Sequence, residues 1–467
     1  MALVQPTTST KTPSDLVGKK PSVTSGVDAS DFWLWTTFGI AALVVILYVR
    51  AFAVNVVLLD EWAFIPYLKT FNAGLLDYGK FFLWRYNEHK IFFPLILLYW
   101  IASLTHYDAK AVQYVGPVIM ILTTLIVLLM ARKRMRAMPF GGVILSIIAC
   151  FLLDLQQWQN MIFGYSACIV GVSLLFVLCV YLLERVRKLD WRLLLAAVSG
   201  FCATFSYANG FLCWPIGLGV LWLSRRLLSV EFRKNLLVPM WIWTAVGIAT
   251  IALYYSDGYF IRKGFVGNIG PQLILGQPSS AAQLILTAIA IPLAGDPHTA
   301  IAIGLAIACI LVFLTVVVLR GKWLLNHDST APLALLLFGL ASAGMIFVGR
   351  AGAGFSALLV SRYTSITNLE VVGLAMFVAS LRTVNSYQRM SIVACLAYAM
   401  FVITVSSAVV ANDVGQANRN HRLEAARILR NYKTLPDKEL EVLCPFPVAV
   451  RLYAPYLEQQ KYSVFRH

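Results

Sequence analysis

Asp60 and Glu61 stand side by side directly after the first long apolar stretch, in "LLDEWAFIPYLKTFNAG" from Leu58. A carboxylate held beside lipid rather than in a water-filled loop has its charged form disfavoured, which suits a general base for a hydroxyl nucleophile. The same two acids would equally serve as the N-terminal charges of a helix. In "RYNEHKIFFP", Asn87, Glu88 and His89 precede a short apolar segment: Glu88 as a second carboxylate, Asn87 and His89 as hydrogen-bonding partners of a sugar, or all three as headgroup-level caps. "QQWQNMIFGY" supplies Gln157, Trp158 and Asn160. Amides bond sugar hydroxyls and Trp stacks on a ring face, although an interfacial aromatic belt has the same composition. Late in the chain, "GRAGAGFSALLVSRYTSI" places Arg350 at the end of one apolar run and Arg362 with Tyr363 at the start of the next. Arginine at membrane depth is costly and marks function, and its planar fork matches phosphate oxygens; the alternative is snorkelling to headgroups. Arg262 and Lys263 in "SDGYFIRKG" add two cations to the same chemistry, or are solvated loop charges.

Motifs for other chemistry are missing. There is no HExxH, no GxxxxGK[ST] and no CxxC, so zinc hydrolysis, nucleotide binding by a phosphate loop and a disulfide framework are not indicated. The compatible metal is a divalent cation, Mg or Mn, held by Asp60 and Glu61 together with phosphate oxygens.

The elements that must position these residues are membrane helices. The 467-residue chain is 59% hydrophobic and 13% charged, with mean hydropathy +0.75. Soluble chains carry about a quarter charged residues. Spans are expected at 33–52, 112–131, 140–155, 162–183, 192–208, 211–224, 237–255, 299–319, 331–348, 364–381 and 389–409. The stretches 91–104 and 284–295 are short enough to re-enter rather than cross. The fold class is therefore all-α and polytopic, with about 11 transmembrane helices and interfacial or re-entrant helices. Residues 1–31 read as a disordered polar lead without a cleaved signal, 32–410 as the membrane core with a long first external loop over 53–111, and 411–467 as an external helical tail.

The net charge of +16 belongs to loop orientation rather than to nucleic acid. With both short segments re-entrant, Lys19/Lys20, "RKRMR", "ERVRK", "SRR" with "FRK", "RGK", Arg382 and Arg389 all fall on one side. The positive-inside rule makes that side cytoplasmic, with the N-terminus inside and the C-terminus outside, in the plasma (inner) membrane. The chemically suggestive stretches then share the external face. After Asp60/Glu61, Trp62, Ile65, Leu68, Phe71 and Leu75/Leu76 recur at helical steps, as in an interfacial amphipathic helix.

An acidic pair just after the first span, "DEWAFIPY", followed by an interfacial helix in a long first external loop, resembles the GT-C superfamily of membrane-embedded glycosyltransferases. The resemblance covers Phe32 to about Val410 as architecture and the first loop as motif. It implies a polyprenyl-phosphate-linked sugar donor, a glycan, lipid or protein acceptor, and a first-loop acid at the catalytic centre, here Asp60 with Glu61 and Glu88. Arg350, Arg362, Tyr363, Arg262 and Lys263 would then hold the donor phosphate, and Asn87, His89, Gln157, Trp158 and Asn160 the sugar or acceptor. A glycan polymerase or ligase would share the donor and the basic external loops without needing the acid pair. A transporter or flippase would gather buried charge near the midplane in repeated halves, and no repeat is visible.

Overall fold

The computed structural model describes residues 29–136, 138–258, 269–383 and 386–466. Apart from one two-residue antiparallel pairing, Trp323–Leu324 with Arg382–Thr383, the regular structure in these segments is helical. Among the described residues eight helices are long and apolar enough to cross a membrane, and each expected apolar run coincides with a helix. Three of the expected spans are shorter: Trp191–Thr204, Cys213–Leu227 and Thr364–Ser380.

Thr364–Ser380 is the axis of the bundle: all 17 of its residues are buried. Small residues let its neighbour Thr330–Arg350 come into backbone contact. A Cβ on Gly373 would stand 2.3 Å from the Leu336 nitrogen, and one on Gly339 would stand 2.5 Å from the Glu370 nitrogen.

Contacts between loops sort the two ends of the bundle. At one end the basic clusters gather. Arg134 pairs with Glu184 and donates from Nε to the Asp328 carbonyl, Arg132 and Arg136 pair with Asp31, and Asn326 donates to the Ser380 carbonyl at 2.7 Å. At the other end lie the stretches around Asp60, Glu88, Ala208, Asp257, Arg350 and Arg362, joined by the contacts described below, and Ala294, whose carbonyl accepts from Gln156 at 3.2 Å. Asp60, Glu88, Arg350 and Arg362 thus share one end of the bundle.

The first loop returns to the end it started from. Phe92–Leu104 has 13 residues, about 20 Å at 1.5 Å per residue, against a hydrocarbon core of roughly 30 Å. Lys90, just before it, pairs with Asp257 at 3.3 Å. Just after it, the Tyr107 carbonyl accepts from the Ser463 amide at 3.0 Å and the Ala109 amide donates to Asn55 at 2.8 Å. Both flanks therefore sit at the site end. The segment expected at 284–295 is the helix Pro278–Ala290 with a 3-10 turn, Ile291–Leu293, packed on Pro297–Leu319, where Gly304 meets the Leu286 carbonyl.

Two details differ from the sequence expectation. The amphipathic helix after the acid pair is divided: a 3-10 turn, Leu59–Ala63, precedes Ile65–Asn72, with Pro66 in its first turn. It stops before Leu75 because Gly74, at φ +69°, takes the left-handed position. The Gly74 amide bonds the Phe71 carbonyl and the Leu75 amide the Thr70 carbonyl, so two of the carbonyls at the helix end are satisfied. The last span does not end near 410: Ser386–Arg430 is one helix of 45 residues, about 68 Å long, and its second half projects beyond the bundle. Residues 437–466 fold back from it onto the first loop. The Leu59 amide donates to the Leu443 carbonyl at 2.7 Å, Asn55 to the Ser463 carbonyl at 2.9 Å and Asn72 to the Tyr462 hydroxyl at 3.0 Å.

Candidate functional site

The Leu59–Ala63 turn begins with Leu59 at φ +52° and sets the two acids to different uses. Glu61 points inward and is buried; its Oε2 accepts from the Leu58 amide at 3.1 Å, and Oε1 lies against Gly164. Burial pushes its carboxyl above the ordinary range, against the opposing pull of Arg422 and of the Leu58 and Gly164 amides. Asp60 points toward a cavity of about 70 Å³ that it lines with Glu61, Gln159, Phe163, Tyr165 and Arg362. That is space for several waters or for a hydroxyl and part of a phosphate.

Tyr86 fixes Asp60 by donating from Oη to Oδ1 at 2.7 Å. Burial, then the bond and charge of Asp60, hold the phenol well above its usual range, so it stays a donor. The tyrosine is placed by a tight hairpin in which Tyr86 and His89 exchange backbone hydrogen bonds of 2.9 and 3.0 Å around Asn87, at φ +52°. Asn87 is exposed at the tip. Arg85 anchors the hairpin, donating to Asp257 Oδ2 at 2.6 Å, to the Tyr254 carbonyl at 2.6 Å and to the Glu88 carbonyl at 3.1 Å.

His89 stacks on Tyr207 with ring centroids 3.8 Å apart, and its Nδ1 accepts from the Ala208 amide at 3.3 Å. The neutral ring therefore carries its proton on Nε2, 3.4 Å from Glu88 Oε1. Burial, aided by Arg350, Arg85 and Arg362 and opposed by Glu88, pushes the imidazole down to about 4. The sign follows: between pH 6.5 and 4 the unfolded chain binds the proton and the folded chain does not, so stability falls as pH drops through that window. About 3 kcal/mol separates the two limits. Thermal unfolding of the wild type should therefore shift downward from pH 7.5 to 5 by more than that of His89→Phe; parallel shifts in the two proteins would refute this role.

Arg350 and Arg362 are brought to this site by a turn at Gly354, whose φ of +83° favours glycine. Arg350 Nε donates to the Tyr363 hydroxyl at 3.0 Å, and its Nη2 lies 3.8 Å from Glu88 Oε1. Arg362 lines the cavity, and its carbonyl accepts from Asn160 at 3.1 Å. Among the described residues its guanidinium forms no ion pair. Arg262 and Lys263 lie outside the described residues.

The amide-rich stretch divides differently from its composition. Gln157 is buried and donates to the Leu152 carbonyl at 3.0 Å; Trp158 packs beside Phe163 against the first helix; Asn160 braces Arg362. None of the three lines the cavity, whereas Gln159 does, with its backbone amide donating to Ser361 Oγ at 3.3 Å. Sequence reasoning missed Tyr86, Gln159 and the Arg85–Asp257–Lys90 cluster. Tyr86 and Arg85 stood in the quoted "RYNEHK", but nothing local indicates their partners.

Both acids line the cavity, but their carboxylates are engaged differently. Glu61 is turned to backbone amides, Asp60 is held by Tyr86, and among the described residues no group of three His, Cys, Asp or Glu could hold a metal. Glu370, fully buried opposite Gly339, has no hydrogen-bond partner for either oxygen among the described residues and lies inside the bundle, outside this cavity.

No protein-family model matches the chain, and no curated protein is similar to it. Among solved structures, the chain is similar to an archaeal oligosaccharyltransferase, AglB from Archaeoglobus fulgidus, in complex with an inhibitory peptide and a dolichol-phosphate. Identity is 14%, the TM-score is 0.46, and the match covers 87% of this chain and 59% of that one. A structure of the Archaeoglobus fulgidus oligosaccharyltransferase with Zn and sulfate matches at 14% identity and TM-score 0.37, covering 79% and 52%. The chain thus spans little more than half the length of these proteins.

Proposed function

We propose that this chain is a membrane-embedded glycosyltransferase of the GT-C type. It moves a sugar from a polyprenyl-phosphate donor to an acceptor hydroxyl at the external face of the plasma membrane, with its N-terminus cytoplasmic. The observation that carries the reading is one cavity, at one end of a membrane bundle, lined by both an acid from the first loop and an arginine from the last: Asp60 and Arg362.

In this reading Asp60 takes the proton as the acceptor oxygen attacks the anomeric carbon. The bond from that carbon to the phosphate oxygen breaks, and its electron pair stays on the lipid phosphate. Arg362 and Arg350 hold the charge that builds there. Tyr86 orients the base, the exposed hairpin tip at Asn87 offers hydrogen bonds to sugar hydroxyls, and the buried His89, proposed from the sequence for the same role, instead braces the hairpin. Glu61 supports the turn rather than the chemistry. Gln159 takes the place in the cavity foreseen for its neighbours.

The test is a transfer assay with the full chain in lipid nanodiscs, given labelled polyprenyl-phosphate sugars and membrane-extracted acceptors. Label leaving the polyprenyl lipid for a second molecule supports the reading. Absence of transfer from every such donor, together with no measurable binding of polyprenyl phosphate, would end it.

A further inference from the structure

Arg422 lies on the projecting half of the Ser386–Arg430 helix. It is 1% exposed, and among the described residues none of its three guanidinium nitrogens has a hydrogen-bond partner. Its guanidinium carbon stands 4.3 Å from the centroid of the Phe163 ring, a wall of the cavity. A buried cation without hydrogen bonds is expensive and persists where an opposite charge answers it. Glu61 lines the same cavity as Phe163 and lies against Gly164, so its carboxylate is near the guanidinium without a direct ion pair, and its charge acts on Arg422 through space.

Glu61 has the complementary deficit. It is buried at 6% exposure, and two backbone amides are the neutral groups that hold it. Gly164 is what lets the chain come so close: a Cβ there would stand 3.3 Å from Glu61 Oε1 and 2.4 Å from Val112 Cγ1. The projecting helix is held in place independently, by Gly415 against the Phe52 ring and by Arg430 Nε donating to the Val464 carbonyl at 3.4 Å.

We infer that Arg422 is a positioning residue for the site. Its guanidinium supplies the counter-charge to the Glu61 carboxylate, and this pair locks the Leu59–Ala63 turn so that Asp60 is presented to the cavity. The C-terminal extension is then part of the catalytic framework and not an appendage. The inference rests on the reading of Asp60 as the base, so its test has a readout that does not depend on transfer.

The experiment compares the full-length wild type with Arg422→Met, Arg422→Lys, Glu61→Gln and the double variant Glu61→Gln/Arg422→Met. Two measurements are made: kcat and KM for the transfer reaction, and hydrogen exchange of the amides in 58–64. Each single neutral variant is expected to lose about tenfold to a hundredfold in kcat with donor KM nearly unchanged, and to exchange at least tenfold faster in that segment. The double variant should be no worse than either single variant, and Arg422→Lys should recover part of the loss. Losses that multiply in the double variant, or exchange unchanged in Arg422→Met, overturn the inference. If Arg422→Met does not fold, the double variant is expected to fold; its failure as well would overturn the pairing. Normal coupling in exchange without any transfer activity would leave the pair standing and remove the proposed reaction instead.

Discussion

Asp60→Asn is expected to lower the rate of sugar transfer by about 10²–10⁴-fold, the range that a positioned general base supplies, with donor KM changed by no more than about twofold. The substitution keeps the side-chain shape. The asparagine carbonyl can still accept from the Tyr86 hydroxyl, which stands at 2.7 Å from the aspartate, so the turn and the hairpin stay joined. What is lost is the ability to take a proton at the cavity wall. Tyr86→Phe should be milder, about tenfold, because it leaves the base and removes the bond that aims it. Initial rates with a labelled polyprenyl-phosphate sugar separate these outcomes. Transfer by Asp60→Asn at wild-type rates would remove the base assignment and leave the acid as a turn residue. A large loss in Glu61→Gln has a different meaning, because Glu61 Oε2 is bound to the Leu58 amide and its effect must pass through the turn.

What could be read from the sequence follows from how local each signal is. The apolar runs became helices because a lipid-facing or fully buried helix is recognisable from composition over a span length. Even Thr364–Ser380, buried on every side, keeps its 17-residue apolar stretch despite Glu370 and Asn368. Asp60, Arg350 and Arg362 were visible because charge at the end of an apolar run is itself unusual. The pairings were not visible. Tyr86 meets Asp60 through a two-residue hairpin whose tip, Asn87, takes a positive φ, and no periodicity announces that. Which amide of "QQWQN" faces the cavity depends on the 3-10 turn Leu155–Gln157, which rotates Gln157 inward and Gln159 outward; composition carries no such phase. Arg422 sits in a segment that reads as a polar basic helix of an external tail. Its burial against Phe163 arises because the last helix runs on past the bundle.

The two arginines should differ in a predictable order. Arg362→Ala is expected to weaken binding of the polyprenyl-phosphate donor by about a hundredfold, and Arg350→Ala by about tenfold, within the range for hydrogen bonds to charged groups. The reason is what each guanidinium already does. Arg350 is committed to the Tyr363 hydroxyl at 3.0 Å and faces Glu88 at 3.8 Å, so a phosphate must compete for it. Arg362 lines the cavity beside Asp60 with its fork unclaimed by a carboxylate among the described residues, and its backbone is held in register by Asn160. Arg362→Lys should restore only part of the affinity, since an ammonium offers a point charge where the guanidinium offers two parallel donors. Glu88→Gln should act in the opposite direction: freeing Arg350 from a half-exposed carboxylate tightens donor binding, unless Glu88 is itself a second base, in which case kcat falls instead. Titration of detergent-solubilised protein with a fluorescent polyprenyl phosphate distinguishes these cases. Wild-type affinity in the Arg350→Ala/Arg362→Ala double variant would show that the donor phosphate is held elsewhere. Asp60 would then stand beside two cations that serve only to balance the charge of Glu88 and of the site itself.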